Sequence, residues 1–271
     1  MAIHCRLVGL TQFLVDCTCL AASYPESARD VVTLLSKSPG AGLTYSLAFV
    51  GGFGDAAGFV LARTFTGHVT GNLVLAAVSL ATRDWATTAM RLLAVLSFLA
   101  GILLSVLCAR LATAQQWPPL AAAFAVELAL IGAGALMLLS HAGAATKIFV
   151  LCLSLALGIQ NGAFRRAGGV SVHTTYLTGM LTGLVVSQTE KLLSQPDGAP
   201  AARDESIRLI RGIWLTFFVG AAIGAALTLR FREAGMLAVV LLLCVLIVHA
   251  LQKRSVSAGT LPELKATRRR P

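Results

Sequence analysis

Six long apolar blocks constrain this chain more than anything else in it. Leu43–Ala62, Leu92–Ala109, Leu120–Leu139, Ile148–Ala163, Ile213–Leu229 and Met236–Leu251 each approach the roughly 20 residues that a helix needs to cross hydrocarbon. Only Asp55 and Glu127 place a formal charge inside them. Backbone N–H and C=O groups find no water in a bilayer, so blocks of this length satisfy themselves as α-helices. The alternation expected of a membrane barrel is absent. Charged residues make up 13% of the chain, against roughly a quarter in soluble domains. The expected fold is an all-α, polytopic helical membrane bundle whose partner is the lipid bilayer.

Two further apolar stretches, Val69–Ala81 and Thr175–Ser187, are shorter. At about 1.5 Å per residue each covers only about two-thirds of a roughly 30 Å core, so the expected spans number six to eight. The net charge of +10 could suggest nucleic acid, but its placement argues against such a partner. If all eight blocks cross, sixteen Lys and Arg residues share a side with both termini and six lie opposite. That is positive-inside sorting, with both termini cytoplasmic. The six cysteines show no Cys-x-x-Cys or Cys/His pairing, and no residue set calls for a metal or cofactor. Residues 1–42 read as a loosely structured extension, 43–251 as the membrane domain and 252–271 as a basic disordered tail.

The chain repeats itself. Gly52-Phe53-Gly54-Asp55-Ala56-Ala57 and then Thr66-Gly67-His68-Val69-Thr70-Gly71-Asn72 are echoed by Gly158-Ile159-Gln160-Asn161-Gly162-Ala163 and Thr174-Thr175-Tyr176-Leu177-Thr178-Gly179-Met180. Asp55 falls on Asn161, Thr66 on Thr174, Thr70 on Thr178, and Gly101 on Gly220. This gives two units of four segments, 43–140 and 148–251. An even number of crossings in each would make them parallel-sense repeats, a known route to transporter folds. Small residues four apart also recur: Gly52/Ala56 with Gly158/Gly162, and Gly101/Ser105 with Gly220/Gly224. Such spacing lets helix backbones touch in lipid.

A carboxylate within a span is expensive unless paired or facing a wet cavity. Asp55 therefore reads either as a cation or proton site or as a structural group held by Arg63 or by backbone. Thr66, Thr70, Gly71 and Asn72, with Gln160, Asn161, Thr174, Thr178 and Gly179, are candidate substrate ligands; the alternative is that they cap an irregular helix entry. His68 reads first as structural, Arg165 and Arg166 as interfacial anchors. Glu127 has no charged counterpart in the eighth block and pairs with an arginine or marks a proton path. No catalytic signature is present: no Gly-x-Ser-x-Gly, His-Glu-x-x-His, phosphate loop or dinucleotide fingerprint.

The paired motifs, Gly54-Asp55-Ala56 with Phe65 to Asn72, and Gly158 to Gly162 with Thr174 to Gly179, resemble the YoaK-like (UPF0700-type) family of bacterial membrane proteins, a domain of unknown function. The resemblance covers about residues 43–251. It implies a compact helical domain of about six spans in the bacterial inner membrane, and no established substrate. The expected function is a small-molecule or ion transporter with its site between the two repeats, and not an enzyme. A non-transporting scaffold is the alternative, an intramembrane enzyme on lipid a third reading, and a second copy of the chain a candidate partner.

Overall fold

All eight apolar blocks are helical over their described residues in the computed structural model, which describes residues 41–115, 117–140, 142–164, 166–167, 170–171, 177–193 and 201–259. The expectations for residues 1–40, for Thr174 and for residues 260–271 lie outside the described residues. The helices are α1 (Ala41–Ala62), α2 (Val69–Ala81), α3 (Trp85–Ala114), α4 (Pro119–Leu139), α5 (Ala145–Ala163), α6 (Leu177–Leu193), α7 (Ala201–Phe231) and α8 (Leu237–Gly259). Between α5 and α6, Arg166–Ala167 and Val170–Ser171 pair as a short antiparallel ribbon. Helix α3 starts well before its apolar block because the Asp84 carboxylate accepts the Thr87 N–H at 3.1 Å, a side-chain cap for an orphan donor. Hydrogen bonds from Thr87 hold that exposed carboxyl below its ordinary value. Helix α8 continues to Gly259, so the tail expected to be disordered from Gln252 is helical that far.

Glycine contacts fix how the helices run. A Cβ on Gly52 would land on the Phe217 carbonyl, and one on Gly220 on the Phe49 carbonyl; Gly224 lies against Phe53 and Gly212 against the Tyr45 ring. Residue numbers rise together along this seam, so α1 and α7 are parallel. Likewise Gly158 meets Phe98, Gly101 meets Leu155, and Gly162 meets Ser105, which makes α3 parallel to α5. Helix α1 opposes α5: Gln160 Nε2 donates to the Leu47 carbonyl at 2.9 Å, while Gly54 lies against Leu157 and Leu153. The expectation that the two halves share one sense is thereby corrected, since their first helices run in opposite directions. Helix α4 opposes α5 in turn, with Gly134 on Cys152 and Phe149 and Ala123 clustered with Ile159 and Ala163.

The physical reason for the reversal is α2. After Ala62 the chain turns at Arg63, whose φ is 54°. It then retreats along α1, placing Thr64 and Thr66 beside Gly58 and Thr66 and Gly67 beside Asp55. Helix α2 begins there, seven residues or about 10 Å back from the end of α1. It then runs against α3, where Thr88 donates to Ser79 Oγ at 2.9 Å and Arg91 to the Leu75 carbonyl. This helix of 13 residues therefore runs in the same direction as α1, antiparallel to α3.

Among the described residues, five stretches are long and apolar enough to cross a membrane by length and composition: α1, α3, α4, α5 and Glu205–Val248. The last holds 44 residues, which as one helix would reach about 66 Å, roughly twice the hydrocarbon thickness. It is broken at Arg232, with φ 52°. Beyond the break Gly235 packs on the backbone of Leu227 and Thr228, where a Cβ would lie 2.8 Å from the Leu227 carbonyl. Helix α8 then buries Val239, Leu243 and Leu246 in the core shared by Leu47, Phe53, Phe124, Phe149, Leu153 and Ile213, the 3–4 spacing of one helix face.

Gly52→Val and Gly158→Val should each destabilise the bundle by about 1–3 kcal/mol or more through overpacking. The expected outcome is a fall of several degrees in the melting temperature of detergent-purified protein. Gly132→Ala, where nothing lies within 4 Å, should leave it unchanged.

Candidate functional site

The site grows from the break between α1 and α2. Residues 63–68 leave the helical ladder at a depth where backbone groups must find partners inside the protein. Asp55, buried on α1, supplies one acceptor for two of them: the Thr66 N–H at 2.9 Å and the Gly67 N–H at 2.6 Å, both to Oδ1. The Thr66 hydroxyl donates to the Gly54 carbonyl at 3.1 Å. Asn72, in the first turn of α2, closes the other side. Its Oδ1 accepts the Phe65 N–H at 3.1 Å and its Nδ2 donates to the Phe65 carbonyl at 2.6 Å. An amide is suited to this double role because it both donates and accepts.

Glycine at 58 is required for this fold-back, since a Cβ there would approach Thr66 Cγ2 to 2.7 Å. Phe59 of α1 stacks on Phe65 at 4.7 Å between centroids, and Phe65 in turn lies 5.6 Å from the His68 ring. The second oxygen of Asp55 is left facing His68, with Nδ1 at 4.0 Å from Oδ2. The carboxyl is 7% exposed and the imidazole 41%. Asp55 thus presents one oxygen to backbone and one to an imidazole that reaches a groove of about 500 Å³, lined by Phe59, Phe65, His68, Thr70, Gly71, Val74 and Leu75.

The structure brings Asp55, Thr66 and Asn72 together, with Gly71 packed against His68 and Phe65. Thr70 is exposed at the groove's edge, and Thr178 and Gly179 are exposed on α6. Gln160 belongs to the crossing of α5 over α1, where its partner Leu47 is eight residues, about 12 Å along the helix, from Asp55. Asn161 has a buried Oδ1 with no hydrogen-bond partner among the described residues. The two motif regions therefore do not converge on one cluster of described side chains. Arg63 is exposed at the end of α1, and the groups that engage Asp55 are Thr66, Gly67 and His68. Glu127, which an acid–base pair with Asp55 and His68 would need, lies on α4 without a hydrogen-bond partner among the described residues. Sequence reasoning passed over Gly58 and Phe59, and took Phe65 only as part of the motif. Gly58, one helical turn beyond Asp55, was the available signal.

Residues 43–250 match the family described as protein of unknown function, DUF1275. The UPF0700 transmembrane protein YoaK of Bacillus subtilis (strain 168) is 27% identical over 181 residues, 66% of this chain and 80% of that relative. No solved structure matches the chain.

Asp55→Ala would leave two buried N–H groups without an acceptor, each costing about 1–3 kcal/mol. It should therefore lower the melting temperature more than Asp55→Asn, which keeps a carbonyl oxygen. Asn72→Ala should resemble Asp55→Ala, whereas exposed Thr70→Val should melt like the unaltered protein.

Proposed function

We infer that this chain, which belongs to the DUF1275 family and is a multi-pass membrane protein, is a small-molecule or ion transporter built from two inverted copies of a three-crossing unit. The observation that carries the reading is the break at residues 63–68, which starts α2 inside the bundle at the level of Asp55. Discontinuous helices at the middle of duplicated membrane bundles are where secondary transporters hold their solutes. In this reading α1, α3, α4, α5, α7 and α8 cross, while α2 and α6 leave and return to one face. Three crossings per unit is an odd number, so the copies point in opposite directions about a pseudo-two-fold axis in the membrane plane.

Exchanged contacts support the duplication. The sequence pairs Gly52 with Gly158 and Gly101 with Gly220. In space Gly52 and Gly220 form the α1/α7 seam, and Gly158 and Gly101 form the α5/α3 seam. Each unit's first helix therefore packs on the other's third. The α1/α5 crossing maps onto itself in the same way, because Gly54 on Leu153 corresponds to Gln160 on Leu47. Charge sorting also survives the change of path. Arg83, Arg91 and Lys147 move away from the termini while Arg110, Arg165 and Arg166 join them, so the division stays at sixteen against six. Both termini are cytoplasmic in the inner membrane on this reading.

Within the unit, Asp55, Thr66 and Asn72 hold the break in shape, and His68 and Thr70 meet the solute in the groove. Helix α6 gives the second copy its counterpart, with Asn161, Thr174, Thr178 and Gly179 at the matching positions.

Two measurements test this. Single cysteines placed at Arg63 and Arg83 should react with an impermeant maleimide from the same, non-cytoplasmic side; labelling from opposite sides would restore eight crossings. In proteoliposomes carrying a solute that raises the protein's melting temperature, His68→Ala and Thr70→Val should cut flux about tenfold or more with folded yield intact. Unchanged flux would assign the motif to packing alone.

A further inference from the structure

Glu127 stands apart from everything the transport reading uses. It lies in the middle of α4, its residue is 0% exposed, and both carboxyl oxygens are buried with no hydrogen-bond partner among the described residues. On α4 its neighbours one turn away are Ala123, Phe124, Leu130 and Ile131. Gly134, two turns on and on the same face, packs against Cys152 and Phe149 of α5. Ala123, one turn back, clusters with Ile159 and Ala163. Glu127 is therefore held against the α5 stretch between Cys152 and Ala163.

The elements packed on α4 offer no fixed counter-charge at this level. Helix α5 carries Lys147 at its first turn and Cys152; α3 carries Arg91, Cys108 and Arg110; α8 carries Cys244, His249, Lys253 and Arg254; the turn before α8 carries Arg232 and Glu233. Among the described residues none forms an ion pair with Glu127. An ionised carboxylate in such surroundings costs several kcal/mol beyond what an ion pair returns. A metal ion would need several oxygen ligands, and the adjoining side chains are alanine, leucine, isoleucine and phenylalanine. The smallest cation is what remains.

We propose that Glu127 is a proton-binding site of the membrane domain, occupied in the conformation described here and exchanging with water as α4 and α5 part. The step is the reversible addition of one proton to one carboxylate oxygen, giving a neutral carboxylic acid. The nearer end of α4 is Pro119, eight residues or about 12 Å away, at the level where α5 ends. The site is independent of the groove at His68 and does not rest on that groove carrying solute.

The test uses the full chain in lipid vesicles. Dicyclohexylcarbodiimide, which attacks protonated carboxyls in apolar surroundings, should modify Glu127, located by mass spectrometry of the peptide. Asp55, whose oxygen already accepts two N–H groups, should be spared. Infrared difference spectra should show a carboxylic-acid C=O band that shifts in deuterated water and is lost in Glu127→Gln. Modification should fall at least about tenfold as the pH is raised through the site's titration. Because Glu127→Gln is neutral and of the same shape, it tests the band in a folded protein, and the labelling arm needs no variant. A Glu127 that resists the carbodiimide would overturn the proposal, and so would a band that never shifts in deuterated water.

Discussion

Two seams of bare helix backbone hold this bundle together, and the positions of the other elements follow from them. Lipid is as apolar as the side chains it would replace, so association between spans comes from close packing. At Gly52, Gly220, Gly101 and Gly158 that packing reaches its limit, with each Cα meeting a carbonyl or another Cα of the facing helix. Helices brought this near cannot be rotated or slid without collision. The seams therefore set both partner and register: α1 with α7, and α3 with α5. Helices α4 and α8 fill the remaining space with larger side chains, Phe124, Ile131, Val239 and Leu243.

Against that rigid frame, the break after α1 is a local exception with a local remedy. The bilayer offers no water to an interrupted helix, so the chain supplies its own acceptors and donors. Asp55 does so from α1 and Asn72 from α2. The carboxylate that looked like a ligand for a mobile cation spends one oxygen on backbone. The remaining one reaches the groove only through His68. Asp55 is thus a positioning residue, and the side chains that line the groove beside it are the imidazole and the exposed Thr70. Glu127 shows the opposite pattern, a buried carboxyl with no hydrogen-bond partner among the described residues.

How much of this could be read beforehand depended on the range over which each feature acts. The helices were legible, because apolar blocks in a bilayer leave the backbone no other choice. The small-residue positions were also legible as packing sites. Which helix each glycine would touch was not, since Phe217 and Phe49 are separated by more than 160 residues of chain. Among the candidate ligands, Asp55, Thr66 and Asn72 gathered because they lie within 18 residues and bond to one loop. Gln160 went instead to a crossing that no local pattern announces. The extension of α8 to Gly259 was missed because hydropathy ends where the apolar face ends, while a helix continues as long as its backbone bonds do.

Hydropathy in the sequence by itself determined that this is a helical, multi-pass membrane protein. Tertiary structure alone decided the sense of the two halves. A 13-residue helix is too short to announce whether it crosses, and the Lys and Arg division is the same on either path. What settles the direction is where α2 begins. Hydrogen bonds from Thr66 and Gly67 to a carboxylate eleven and twelve residues back draw the chain into the bundle before α2 starts. The helix then runs in the direction of α1, α3 runs back against it, and α5, parallel to α3, opposes α1.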